Sequence, residues 1–221
     1  MTKVKICGIR SLENALMVAH TGANLIGLNF YPGTPRYVAP ALAREIALRL
    51  REALGDSCPT LVGVFVNASA DELREIVETV GLDFAQLSGD EPAETVEALR
   101  DIAFKAIRPA DEAAALAEAE GLRSTFPLCE DAPSILLDAY SRELYGGTGE
   151  TASEGIALAV KAAAPRLMLA GGLNPQNVAE RVKRVRPWGV DVASGVEAGT
   201  PGLKDAGKVR AFIEAVRAAD Q

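Results

Sequence analysis

A chain of 221 residues with no Pro/Ser/Gly-rich linker is expected to form one domain over residues 1–221. Hydrophobic residues make up 48% of it, yet no apolar run approaches the ~18 to 20 residues of a membrane span, so no membrane partner is expected. The net charge of -7 repels nucleic acid and anionic membrane surfaces at long range, so any anionic ligand must be held by local devices.

The first predicted element is a strand, Lys3-Val4-Lys5-Ile6-Cys7, ended by Gly8 and followed by a helical pattern that opens at Ser11. Apolar residues then recur at the i, i+3, i+4, i+7 spacing that buries one helix face: Leu12, Ala15, Leu16, Ala19; Leu73, Ile76, Val77, Val80; Ile156, Ala159, Val160, Ala163; and Val209, Phe212, Ile213, Val216. Further helices fit Pro40 to Ala53, Pro92 to Arg100, Asp111 to Gly121 and Pro175 to Val185. Asn174-Pro175 reads as an N-cap with proline at the first helical position, and Asp205 as the cap of the last helix. Between the helices lie short apolar runs suited to strands buried on both faces: Leu25 to Phe30, Leu61 to Val66, Asp83 to Gln86, Ala103 to Ile107, Ile135 to Asp138, Leu167 to Ala170 and Val190 to Val192. Arg123 to Pro133 is too polar and proline-broken for an element and reads as a loop.

Strand and helix thus alternate eight times in roughly 28 residues per unit, compact beside the ~250 residues typical of a closed barrel. The expected fold is α/β, a (βα)8 TIM barrel with eight parallel strands. A doubly wound open sheet is the structural alternative, because alternation alone does not require closure.

The three cysteines, Cys7, Cys58 and Cys129, are odd in number and lack paired metal-ligand spacing. Free thiols, no metal site and a reducing cytoplasm are expected. Met1-Thr2-Lys3 leads into the first strand without an apolar signal segment, which also points to a cytoplasmic location. The single histidine, His20, argues against histidine-based zinc sites and a serine–histidine triad.

In a barrel, chemistry sits at the carboxyl ends of the strands. Cys7 and Asp138 stand there, at the ends of the first and sixth strands. A free cysteine is commonly a small buried hydrophobe, but a strand-end thiol can be activated by nearby positive potential. Asp138 either carries chemistry at the mouth or caps a neighbouring element; partial desolvation would suit it to act as a general acid. Asp191, inside the last strand, reads as structural.

Two glycine turns, Ala170-Gly171-Gly172-Leu173 and Ala193-Ser194-Gly195-Val196, follow strands seven and eight, where barrels commonly bind phosphate. Gly146-Gly147-Thr148-Gly149-Glu150-Thr151 follows strand six and reads either as a loop closing over a ligand or as a passive one; without the following lysine it is not a nucleotide P-loop. Arg36, whose backbone surroundings are fixed by two prolines and a glycine in Phe30-Tyr31-Pro32-Gly33-Thr34-Pro35-Arg36, has a planar fork suited to a carboxylate.

Several segments together resemble the phosphoribosylanthranilate isomerase family of tryptophan biosynthesis. They are Lys5-Ile6-Cys7-Gly8-Ile9, Gly27-Leu28-Asn29-Phe30 with Thr34-Pro35-Arg36, Val62-Gly63-Val64-Phe65, Gln86-Leu87-Ser88-Gly89, Leu136-Leu137-Asp138, Gly146-Gly147-Thr148-Gly149, Leu169-Ala170-Gly171-Gly172-Leu173-Asn174-Pro175 with Asn177-Val178, and Gly189-Val190-Asp191-Val192-Ala193-Ser194-Gly195-Val196-Glu197. The resemblance implies an Amadori rearrangement of N-(5-phosphoribosyl)anthranilate to 1-(2-carboxyphenylamino)-1-deoxyribulose 5-phosphate, without metal or cofactor. By the same carry-over Asp138 is the general acid, Cys7 the general base and Arg36 the ligand of the anthranilate carboxylate. Gly171, Gly172, Ser194 and Gly195 hold the phosphate, with Gly147, Thr148 and Gly149 nearby. The chain departs from the family at Ser88, where histidine is usual, at Ala152-Ser153-Glu154, where Phe-Asp-Trp is usual, and at Thr34, which replaces serine.

The expected partner is therefore a small phosphosugar, with no nucleic acid and no membrane, and a monomer is the default assembly with a homodimer as the alternative. Two other readings stand beside this one. One is a bifunctional isomerase that also accepts the aminoimidazole ribotide of histidine biosynthesis, against which the strand-one cysteine argues. The other is a catalytically silent phosphate-binding barrel.

Overall fold

The computed structural model describes residues 1–138 and 153–221, and in it eight strands alternate with eight helices. The strands are β1 (Lys3–Cys7), β2 (Leu25–Asn29), β3 (Thr60–Phe65), β4 (Phe84–Leu87), β5 (Ala103–Ile107), β6 (Ile135–Leu137), β7 (Leu167–Leu169) and β8 (Gly189–Val192). All neighbouring pairs are parallel in chain order, and β8 returns to β1, so the sheet closes into a barrel and the open doubly wound alternative falls. The helices are α1 (Leu12–Thr21), α2 (Pro40–Leu54), α3 (Ala70–Val80), α4 (Ala93–Ala98), α5 (Glu112–Gly121), α6 (Glu154–Ala163), α7 (Val178–Val185) and α8 (Ala206–Ala219). Among the described residues no helix is long and apolar enough to cross a membrane. Gly147, Thr148 and Gly149, expected near a phosphate, lie outside the described residues.

Side chains alternate across a strand, so each strand divides its residues between the barrel interior and the helix-facing exterior. Val4 and Ile6 of β1, Ile26 and Leu28 of β2, and Val190 and Val192 of β8 share the exterior core with Val18, Val209 and Phe212 of the helices. The opposite set, Leu25, Val62, Phe84, Phe104, Leu136 and Met168, fills the interior as a separate apolar cluster. Nearer the carboxyl ends the interior turns partly polar: Cys7, Asn29, Gln86, Arg108, Asp138 and Asp191 line the cavity at the mouth beside Val64, Ala106 and Ala170. The same alternation that builds the core therefore delivers the site.

Helix starts follow local chemistry. Ser11, Ser69, Asp111, Ser153 and Asp205 each accept a hydrogen bond from the backbone N–H three residues on, a cap worth about 1 kcal/mol. The start of α7 differs from the expected Asn174-Pro175 cap. The helix begins at Val178, and the Asn174 carboxamide oxygen instead accepts from the N–H groups of Gln176, at 2.9 Å, and Asn177, at 3.1 Å, making a turn ahead of the helix. A short polar side chain that bonds backbone two and three residues on competes with helix at that point. Arg123–Thr125 forms a single 3₁₀ turn within the stretch expected to be loop.

Candidate active site

Cys7, Arg36, Asp138, Gly171, Gly172 and Ser194 line one cavity at the carboxyl ends of the strands. Gly195 is not among the lining residues; a Cβ there would collide with the Leu173 carbonyl oxygen, so the turns after β7 and β8 pack against one another through that glycine. The same cavity includes Asn29, Tyr31, Gln86, Ser88, Arg108 and Asp191, which sequence reasoning did not assign to it.

Cys7 ends β1 and is 8% exposed. It pairs in register with Gly27 of β2, where a Cβ would stand 2.7 Å from the Cys7 Sγ. Glycine at 27 thus makes the space the thiol occupies. Beneath Cys7, on the same face of β1, Lys5 is wholly buried, and its ammonium donates to Gln86 Oε1 at 2.9 Å and Asp191 Oδ1 at 3.0 Å. Lys5 and Asp191 are register partners across the β1–β8 seam, so barrel closure puts them side by side. Asp191 therefore serves as the counter-ion of a buried cation, in keeping with its structural reading, while also reaching the cavity. Burial disfavours the charged form of Lys5, but Asp191 and Cys7 outweigh it and hold its pKa above the ordinary value. Burial pushes the Cys7 thiol up, against the pull of Lys5 and Lys204, with Asp191 adding to the rise. Gln86 continues the network, its Nε2 donating to Ser88 Oγ at 3.0 Å. The residue that replaces the family's histidine is thus tied back to the barrel floor.

Arg36 lies over the first turn of the chain. Gly8 has φ 79°, and a Cβ on it would stand 2.7 Å from Arg36 Cδ, so glycine is required both for the backbone and for the arginine's path. The Thr34 hydroxyl accepts from the Arg36 N–H at 3.4 Å, a contact that serine would also make. The Nε and Nη2 of Arg36 each donate to Glu197 at 2.8 Å, a bidentate pair. Glu197 Oε1 also accepts from the Gly202 N–H at 2.8 Å and from the buried Lys204 Nζ at 3.0 Å. Burial opposes ionisation of Glu197, but Arg36, Gly202 and Lys204 together bring its pKa down to about 2. The Nη1 edge of the fork is turned away from Glu197 and carries two further N–H groups.

The turns after β7 and β8 are built for close approach. Gly171 and Gly172 have φ of 80° and 56°, the left-handed region that favours glycine. The Gly172 carbonyl accepts from Asn177 Nδ2 at 3.0 Å, while Asn177 Oδ1 accepts from the Asn174 N–H at 2.9 Å, pinning the turn from both sides. Ser194–Val196 forms a 3₁₀ turn directly after β8. The first N–H groups of such a turn have no partner within it and can serve an anion. Asp138 follows β6, half-buried, with its N–H donating to the Ile107 carbonyl at 3.0 Å. Of the expected departures, Ser153 and Glu154 are the cap and first residue of α6, and Glu154 pairs with Arg184 at 2.9 Å on the surface; Ala152 lies outside the described residues.

A closed parallel barrel whose strand ends gather a thiol, a carboxylate and an arginine around one cavity places the chain among the (βα)8-barrel enzymes that work on small molecules. Comparison with known proteins narrows the class. The family model for N-(5'-phosphoribosyl)anthranilate (PRA) isomerase matches residues 4–215. The N-(5'-phosphoribosyl)anthranilate isomerase of Chlorobaculum parvum is 40% identical, covering 100% of this chain and 97% of its own length. That of Pseudomonas aeruginosa strain LESB58 is 44% identical over 97% and 95%. The crystal structure of phosphoribosyl anthranilate isomerase from Thermotoga maritima superposes with a TM-score of 0.85 at 36% identity, covering 99% of this chain and 100% of that one. A crystal structure of phosphoribosyl anthranilate isomerase in complex with reduced 1-(o-carboxyphenylamino)-1-deoxyribulose 5-phosphate gives a TM-score of 0.82 at 34% identity over 99% and 100%. This chain belongs to the N-(5'-phosphoribosyl)anthranilate isomerase family.

Proposed function

We propose that the barrel of residues 1–221 is a cytoplasmic enzyme of tryptophan biosynthesis, rearranging N-(5-phosphoribosyl)anthranilate to 1-(2-carboxyphenylamino)-1-deoxyribulose 5-phosphate. The observation that carries the reading is the meeting of Cys7 and Asp138 in one cavity with Arg36 and the two glycine turns. A substrate with a phosphate at one end and a carboxylate at the other needs an anion site at each end and two proton-transfer groups between them. The product-like ligand held by a relative supports the same substrate class.

Asp138 gives a proton to the furanose ring oxygen as the C1–O bond breaks, and the anilino nitrogen supplies the electron pair that forms the C1=N bond of the Schiff base. Cys7 takes the C2 proton, and the released pair forms the C1=C2 bond of an enolamine as the C1=N pair returns to nitrogen. Protonation at C1 with loss of the C2 hydroxyl proton gives the ketone, so C1 is reduced and C2 oxidised with no outside reactant. Arg36 binds the anthranilate carboxylate through the edge that Glu197 leaves open. Gly171, Gly172, Ser194 and Gly195 receive the phosphate, together with Gly147, Thr148 and Gly149. One chain supplies every residue of this site, so turnover by a monomer is expected, although the Thermotoga maritima relative is dimeric.

Anthranilate fluorescence, followed while the substrate is generated in place, reads the reaction directly. Cys7→Ala and Asp138→Asn should each lower turnover about a hundredfold or more, the scale of lost acid–base catalysis, and Arg36→Ala should act mainly on KM. Folded Cys7→Ala and Asp138→Asn variants with near-parental turnover would remove the mechanism. Absence of any acceleration by the folded parent would remove the substrate.

A further inference from the structure

Lys5 is wholly buried in the barrel interior and takes no part in the steps above. A buried ammonium costs several kcal/mol unless paired, and an apolar residue would fill the same space. Its surroundings suggest what it is kept for. Lys5 and Cys7 stand two residues apart on β1, so both point into the barrel, the lysine directly below the thiol. Two of the three ammonium N–H groups go to Gln86 Oε1 at 2.9 Å and Asp191 Oδ1 at 3.0 Å. Gln86 and Asp191 hold the lysine upright from β4 and β8, on different sides of the barrel.

We propose that Lys5 is the positioning residue for the base: its third N–H and its charge stabilise the Cys7 thiolate, so the ammonium is shared between Asp191 and Cys7. The assignment rests on the reading of Cys7 as the base. Without the lysine, a thiolate in this buried position would face the Asp191 carboxylate of the neighbouring strand with no cation beneath it on β1. The other groups acting on the thiol are Lys204, from the segment before α8, which favours the thiolate, and Asp191, which opposes it. Arg36 from the β2–α2 connection also interacts with Cys7, and Arg108 and Asp138 line the same cavity from β5 and β6. Lys5 is the cation carried by the same strand as Cys7, one position below it on the same face. It is also held in place by two ligands that leave one N–H over.

The consequence has two signs. Lys5→Met removes the cation and leaves the carboxylate, so the pH at which Cys7 ionises rises. Asp191→Asn removes the competing carboxylate and leaves the thiolate as the counter-ion that keeps the ammonium charged, so that pH falls. The measurement is the rate of Cys7 alkylation by iodoacetamide against pH, in a Cys58→Ser/Cys129→Ser background, with circular dichroism confirming the fold of each variant. The midpoint should move up by about one to three pH units in Lys5→Met and down in Asp191→Asn. The ascending limb of kcat/KM should follow the alkylation midpoint in Lys5→Met. Where Lys5→Met does not fold, Asp191→Asn decides alone. Midpoints that stay at the parental value, or that move in the same direction in both variants, overturn the inference and leave Lys5 a structural cation. Midpoints that move as stated while kcat/KM ignores them uphold the lysine's hold on the thiol and instead remove Cys7 as the base.

Discussion

Replacing Glu197 by glutamine tests whether the carboxylate behind Arg36 organises this end of the site. The substitution keeps the shape and removes the charge that faces Arg36 and Lys204, the latter with a side chain that is 0% exposed. Lowering the Glu197 carboxyl from 4.5 to about 2 corresponds to about 3 kcal/mol in favour of the folded, ionised form at neutral pH. Lys204 is already pulled down by burial, with Glu197 opposing. In the variant it can give up its proton, which trims the expected loss to about 2–3 kcal/mol. For a chain of this size that is a fall in Tm of about 4–12 °C. The sign with pH follows from a depressed folded value. The stabilisation is present above about pH 4.5 and fades as pH falls toward 2, so the gap between parent and variant should shrink to less than half by about pH 3. Thermal melts of both proteins at pH 7, 5 and 3 read this directly. A variant that melts within about 2 °C of the parent at pH 7, or a gap that stays constant into acid, would refute the reasoning.

Two further outcomes follow from the same geometry. Because burial pushes the Cys7 thiol up, kcat/KM should climb as pH rises beyond the ordinary thiol range; an ascending limb complete below about pH 7 would remove Cys7 as the titrating group. Gly195→Ala drives a Cβ into the Leu173 carbonyl oxygen, so the turns after β7 and β8 must part. Affinity for a phosphate-bearing product analogue should drop tenfold or more, about 1.4 kcal/mol, and parental affinity in a titration would show that the turns are not the anion site.

Much of the architecture is legible in the residues themselves. The strand from Lys3 to Cys7 reads from its alternation and its glycine stop, and the eight helical stripes and strand runs fall within a few residues of the elements they predict. Gly171, Gly172 and Ser194 stand out because they follow strands whose ends face a barrel mouth. A signal for more was present and simple: once β1 is a barrel strand, Lys5 shares its face with Cys7, and Asp191 shares its face with Gly189 and Ala193. Polar residues at interior positions mark the site as clearly as the strand-end groups do.

The remaining features depend on distance in sequence. Lys5 meets Asp191 across 186 residues because the β1–β8 register aligns them, and that register exists only when the barrel closes. Arg36 meets Glu197 across 161 residues for the same reason, with Gly8 clearing its path. Asn174 reads locally as a helix cap, yet its side chain makes a turn three residues ahead of α7. Local chemistry alone determined the elements, their order and the strand-end residues, because periodicity and capping act over a few residues. Only the tertiary structure decided that Lys5 pairs with Asp191 and Arg36 with Glu197, since closure of the sheet brings those distant side chains within about 3 Å.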